Sequence, residues 1–465
     1  MKLILTILTL LLPFLFALLL DTSISIHVIL INSLIIIITN VFLKKYPLLY
    51  KSHVKYILIY TLFISIIAII SYSSSIKSGS ISDPYIPGGD GEFYYQSAKL
   101  LTTENPFADQ NFFKANYLGY QIILSLLFKL FGTSLFIGLG LNYILLILSI
   151  LIILIISFVL TNDPLISKYT LIISMMIPQF ASMGTLLLKD IIIIFSFALF
   201  TLSVLNLVHK NSTFLQIIFM VLSVFLIGIT RLPLIVFLLL IYLIMQKVFY
   251  LRQVFWFGGI VLTLIFLMPY ILQFTMYEFS GEFVFDEVVV NKVIEDKLVE
   301  TSSGTPGVVQ TLVGGYTDLP TLLRFIYLPI FVAIQYVMPI NFWSTSFIND
   351  HPWYFLIEQL NVLWYGLIGV LFIYSIINIR LIKNIRIKRL FIIGIIFYVL
   401  TAFIYGGAIP RYAFPSFVLI LPTFGYMFYQ FKNDMLLRKS IITFLKKYYA
   451  FGLLLFLLYL LKYTL

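Results

Sequence analysis

Apolar residues run along this chain in unbroken blocks of Ile, Leu and Phe, separated by short polar or basic breaks. The blocks approach the ~20 residues that cross a bilayer as a helix. They lack the period-two alternation of a barrel strand, so the pattern predicts helices. Thirteen spans are read on this basis: Leu3–Leu20, Ile24–Leu43, Tyr56–Ser74, Ser134–Leu160, Tyr169–Leu188, Ile191–Val208, Phe214–Thr230, Pro233–Met245, Val254–Thr275, Leu360–Ile379, Leu390–Tyr405, Tyr412–Phe428 and Tyr449–Leu461. Pro233–Met245 is short and reaches spanning length if it continues to Tyr250. No small-x-small cleavage site precedes Asp21, so Leu3–Leu20 is read as an uncleaved first helix.

The breaks carry the orientation. Lys44, Lys45, Lys51, Lys55, the basic loop Arg380–Arg389 and the group Lys432, Arg438, Lys439, Lys446 and Lys447 fall on one side, with only Asp163 and Asp434 as acids there. The positive-inside rule makes that side cytoplasmic. Arg324–Trp343 is apolar enough to span, yet a simple span would reverse the loop Arg380–Arg389. It is therefore read as an outer re-entrant or interfacial helix buried against protein. The organisation that follows is N-terminal transmembrane helices (1–74), an outer acidic loop with amphipathic helices near Glu92–Thr103 and Leu118–Phe131 (75–133), and a transmembrane core (134–275). A second outer loop (276–359) and C-terminal transmembrane helices (360–465) complete it. The fold class expected is an all-α polytopic transmembrane bundle.

Composition supports this class. Hydrophobic residues make up 61% and charged residues 11%, against about 25% charged in soluble domains. The net charge of +11 sits in short loops between apolar runs, which argues against a nucleic-acid partner. The absence of cysteine excludes disulfides and thiol chemistry. His27, His53 and His209 are scattered, so there is no histidine ligand cluster, and His351 with nearby Asp350 is by itself weak evidence for a metal.

Candidate chemistry lies in the few charges that interrupt the apolar pattern on the outer side. Asp90 stands between Gly88-Gly89 and Gly91, after Pro84 and Pro87, and Glu92 follows. It suits a helix cap; it equally suits a rigidly held general base assisted by Glu92 or Asp83. Lys189-Asp190 separates two spans with almost no loop. The pair is either an interfacial turn with a snorkelling lysine or part of the same outer cavity. Arg231 and Arg411 sit at outer helix junctions, against the positive-inside trend. They anchor to headgroups or hold a phosphate with their planar fork of donors.

The order GDGEFYYQSAKLL, then LGYQIILSLLFKLFG, then a span containing Asn142, then spans broken by LLLKD and TRLP, resembles the GT-C superfamily of membrane glycosyltransferases. The likeness is greatest to the family-39-like group of protein mannosyltransferases and aminoarabinose transferases. It covers roughly residues 75–275. Two spans precede the family's usual first helix, and Gly91 separates acids that are adjacent in many relatives. The resemblance implies sugar transfer from a polyprenyl-phosphate-linked donor to a glycan or lipid-linked acceptor, at the outer face of the cytoplasmic membrane, in cell-surface glycan synthesis. It implies Asp90 as base with Glu92 beside it and Asp190 as a further acid. Lys189, Arg231 and Arg411 would bind the carrier phosphate. It fixes no cofactor, although a divalent cation is compatible. An oligosaccharide repeat-unit polymerase and a lipid-linked-sugar flippase are the competing readings.

Overall fold

The computed structural model describes residues 2–78, 90–103, 119–208, 213–231, 234–245, 364, 370–404 and 414–464. Every regular element among them is helical. They fall into two compact units, one within Met1–Phe249 and one within Glu282–Leu465. The expectations for Asp83, Val254–Thr275, Arg324–Trp343, His351 and Arg411 lie outside the described residues.

In the first unit, α1 (Lys2–Leu20), α2 (Thr22–Lys44) and α3 (Pro47–Ser78) form an antiparallel trio joined by one- and two-residue turns. Two shorter helices follow, α4 (Asp90–Thr103) and α5 (Gly119–Phe131). The central helix is α6 (Leu135–Thr161). Its 27 residues extend about 40 Å. It is apolar all round, as befits a helix surrounded by others, and it packs against α2, α3 and the three elements that follow. These are α7 (Pro164–Met175), α8 (Pro178–Thr185) and α9 (Asp190–Val208). Next, α10 (Thr213–Arg231) packs along α9 and leaves Phe214, Ile218, Val221 and Phe225 exposed in one row. The last element is α11 (Ile235–Met245).

Among the described residues six helices are long and apolar enough to cross a membrane: Lys2–Leu20, Ile24–Lys44, Pro47–Ser73, Leu135–Thr161, Asp190–Leu207 and Phe214–Arg231. The protein is therefore a multi-pass helical membrane protein. A bilayer supplies no water to polar groups, which favours internal partners for those inside the bundle. Asn32 shows how: its Nδ2 donates to Thr9 O and Ser65 Oγ, both at 3.1 Å. The Tyr143 hydroxyl lies 3.0 Å from Asn32 Oδ1 and 2.7 Å from Thr61 O. One buried carboxamide thus ties α1, α2, α3 and α6 together.

The structure revises several boundaries. The expected continuous span Tyr169–Leu188 is two helices: α7 starts earlier, at Pro164, and the chain breaks at Met176–Ile177 before α8. Pro178 has no amide proton, and its ring excludes the carbonyl four residues back. The early start has a cap: Asp163 Oδ1 accepts from Leu165 N at 2.7 Å. Lys51 and Lys55, expected in a loop, lie on α3.

The second unit is built around α14 (Phe414–Asn433), buried from Phe414 to Met427. Against it lie α12 (Val370–Ile377) and α13 (Ile385–Ile404). Aromatic rings fill the space between them, with Phe372–Tyr398 at 5.3 Å and Tyr398–Phe417 at 6.2 Å. Arg386, Lys388 and Arg389, expected in a loop, occupy the first turns of α13, which Asn384 caps. The expected last span, Tyr449–Leu461, is the distal part of a 30-residue helix, α15 (Met435–Thr464). Asp434 caps that helix by accepting from Leu436 N and Leu437 N.

Candidate functional site

Contacts within the first unit sort its charges into two ends. At one end Lys2 reaches Asn40 and Tyr50, the His53 ring bonds Pro164 O, and Lys168 lies over Tyr56. At the other end Tyr72 donates to Asp21, and Tyr95 donates to Thr133 O. This second end holds the first turn of α4, the α8–α9 turn and the last turn of α10.

Asp190 and Arg231 meet there. Asp190 opens α9 and Arg231 closes α10. A carboxylate at a helix N-terminus and a cation at a C-terminus are each favoured by the local dipole. The two helices pack side by side, and Arg231 Nη1 stands 3.6 Å from Asp190 Oδ1, with the side chains 10% and 5% exposed. An ion pair this deep is costly to desolvate and rarely profitable for stability alone. The reading of Lys189-Asp190 as a mere interfacial turn does not fit so buried an aspartate.

Lys189 precedes this carboxylate and is half-buried. Its ammonium lies 5.7 Å from the centre of the Tyr94 ring, within cation–π range. Tyr94 is one helical turn along α4 from Asp90, which begins that helix, and Glu92 lies in the same turn. The backbone thus brings the start of α4 next to the Lys189-Asp190 turn; the side chains of Asp90 and Glu92 lie outside the described set. Arg411 lies outside it entirely.

The turn itself is held by residues to which sequence reasoning gave no role in the site. Asn142, fully buried on α6, donates from Nδ2 to Leu186 O at 2.7 Å and to Leu188 O at 3.0 Å. The Tyr120 hydroxyl donates to Asn142 Oδ1 at 3.0 Å. Burial pushes the Tyr120 phenol well above its ordinary range; the Asn142 bond opposes this, and Tyr94 and Asp190 add to it. The hydroxyl therefore stays a proton donor and sets the orientation of the amide. The Tyr94 ring meets Tyr120 edge-on at 5.2 Å. Tyr94, Tyr120 and Asn142 thus form a continuous support from α4 through α5 and α6 to Lys189-Asp190. Gln121, beside Tyr120 in the chain, is also fully buried, and its carboxamide has no hydrogen-bond partner.

Gly119 makes this packing feasible. A Cβ there would fall 2.3 Å from Ile229 O, so the start of α5 rests directly on the backbone of α10 near Arg231. The far end of α5 stops at Gly132, whose φ of 93° suits a residue without a side chain.

Among the described residues no group of three or more His, Asp or Glu side chains could hold a metal ion. The fold and the buried charges define a multi-pass helical membrane protein with a polar site at one end of a bundle. No family model, no curated protein and no solved structure matches the chain.

Proposed function

We propose that this protein is an integral membrane glycosyltransferase that moves a sugar from a polyprenyl-phosphate-linked donor to an acceptor hydroxyl. The reaction would take place at the outer face of the cytoplasmic membrane, in the synthesis of cell-surface glycans. The observation that carries this reading is the buried Asp190–Arg231 pair beside Lys189, at the bundle end where α4 begins. Cations grouped with acids at one end of a membrane bundle suit a reaction that expels a phosphate and collects a proton.

In this reading the acceptor oxygen bonds to the anomeric carbon as the bond from that carbon to the phosphate oxygen breaks. Asp90 takes the hydroxyl proton, with Glu92 beside it. Lys189 and Arg231 stabilise the negative charge gathering on the departing polyprenyl phosphate. Asp190 holds the Arg231 guanidinium in place. Arg411 joins the phosphate-binding set on the strength of the sequence alone. A divalent cation is compatible with this chemistry. The single displacement inverts the anomeric centre. The lysines Lys44, Lys45, Lys51 and Lys55 at the basic end of the first unit support a cytoplasmic orientation of that end by the positive-inside rule, and with it an outer position for the site in this reading.

The test is transfer by the purified chain from a defined polyprenyl-phosphate sugar. Asp90→Asn should abolish transfer while leaving the thermal melt unchanged, and NMR of the wild-type product should show inversion. Wild-type activity in the variant would remove Asp90 from the mechanism. One observation favours the flippase reading, namely the break between α7 and α8, since interrupted membrane helices often mark transport sites. Movement of a lipid-linked sugar across liposomes with no covalent product would decide for that alternative.

A further inference from the structure

The second unit carries a charge distribution that sugar transfer does not use. Asp434 is the one carboxylate among its described residues, and its Oδ1 is committed to the amides of Leu436 and Leu437. Around it stand cations from three elements. Arg380 and Lys383 follow α12, α13 opens with Arg386, Lys388 and Arg389, and Lys432 closes α14. Packing brings these together: Gly394 of α13 lies against Leu419 and Ile420 of α14, and Tyr398, one turn further along α13, meets the earlier Phe417, so the helices run antiparallel and the start of α13 lies toward the end of α14.

The proximal turns of α15 extend this surface. One face, Leu437, Ile441, Phe444 and Tyr448, turns inward; the Phe444 ring lies 5.4 Å from Tyr374, whose hydroxyl donates to Ser440 Oγ at 2.9 Å. The other face, at helical spacing, is Lys439, Thr443, Lys446 and Ala450, all exposed, with Lys447 exposed beside it. Arg438 is occupied differently: its guanidinium donates to Phe431 O and Lys432 O, capping the end of α14 and fixing the angle at which α15 leaves. Met435, Leu436 and Tyr449 are exposed among these lysines. Lysines interleaved with exposed apolar side chains match a headgroup layer, in which the apolar groups enter the acyl boundary and the ammonium groups meet phosphate.

We propose that the Lys439–Lys446–Lys447 face of α15, continuous with the cations at the ends of α13 and α14, is a docking surface for anionic phospholipid headgroups. The occupant is lipid, because the same helix continues from these lysines into the apolar run Ala450–Leu461, and lysines at the end of such a run meet the headgroup layer. The charge is complementary, and among the described residues of the unit Asp434 is the one acid near these lysines, where it serves as the cap of α15. Lysines beside an anionic membrane strengthen binding by about fivefold each, so three together make the site selective for anionic over zwitterionic headgroups. This inference does not depend on the glycosyltransferase reading, and its test needs no activity.

The full-length protein, delipidated in neutral detergent, is titrated with phosphatidylglycerol or with phosphatidylcholine of identical acyl chains, and retained lipid is counted by native mass spectrometry. Phosphatidylglycerol should be held at least about tenfold more tightly. K439Q/K446Q/K447Q should lose about tenfold or more of that preference, whereas K439R/K446R/K447R should keep it within about twofold. The side chains are exposed, so both variants should melt as the wild type does. Equal retention of the two lipids would overturn the proposal, as would a glutamine variant with undiminished selectivity. Displacement of phosphatidylglycerol by double-stranded RNA at physiological salt would also overturn it.

Discussion

Asn142 concentrates the structural support of the candidate site in one side chain. Truncation to alanine would leave the carbonyls of Leu186 and Leu188 and the Tyr120 hydroxyl without their partner. Each buried polar group so stranded costs about 1–3 kcal/mol. Asn142→Ala should therefore destabilise the protein by about 3 kcal/mol, read as a lower melting temperature in detergent. Whatever folds should transfer sugar at least about tenfold more slowly, because the turn bearing Lys189 and Asp190 is no longer held. Asn142→Asp is the informative companion. It keeps the volume but exchanges the donor for an acceptor facing two carbonyls, so it should rescue neither property. The sequence displayed Lys189, Asp190 and Arg231 readily, since a charge inside an apolar run is conspicuous. It did not display the role of Asn142, whose partners lie 44 and 46 residues away. Nor did it separate Tyr94 and Tyr120 from the other tyrosines among the 31 in the chain, because an aromatic ring gains a role only from what it touches.

Among the elements, α5 is the most exposed to a test by packing. Its first residue, Gly119, has room for hydrogen only, with Ile229 O at 2.3 Å and Ile229 Cβ at 2.6 Å from an added methyl carbon. Overpacking of this kind costs about 1–3 kcal/mol. Gly119→Ala should lower the melting temperature and impair transfer together, since it pushes α5 away from α10 and carries Tyr120 with it. Gly132→Ala provides a contrast. A methyl group there meets no atom within 4 Å, and the penalty comes only from its φ of 93°, so the effect should be a stability loss of about 1 kcal/mol with transfer preserved. Helix starts were legible where a local signal existed. Asp90 opens α4, Gly132 follows the end of α5, and α9 starts at Asp190. The division of Tyr169–Leu188 was missed because hydropathy averages over side chains and does not register the missing amide of Pro178. The extension of α3 and α13 into basic sequence was missed for a related reason: lysine and arginine are good helix formers whose charge marks a membrane boundary, not the end of a helix.

At the scale of the molecule the proposed function makes a prediction about sidedness. The chain contains no cysteine, so single-cysteine variants report without background. A membrane-impermeant maleimide should label Lys129→Cys, on the exposed face of α5, in intact cells. It should label Lys51→Cys, near the start of α3, only after the membrane is opened. The reverse pattern would place the Asp190–Arg231 site in the cytoplasm and end the proposed outer-face reaction. Hydropathy and the distribution of lysine and arginine are properties of short stretches of chain. The sequence by itself therefore determined that this is a helical multi-pass membrane protein and which loops carry like charge. Only the tertiary structure decided that Arg231 faces Asp190, that Asn142 grips the turn leading into Asp190, and that α15 adjoins the end of α14. Those pairings depend on which faces of distant helices meet, and that is settled by close packing across the whole bundle, which leaves no trace in any single segment.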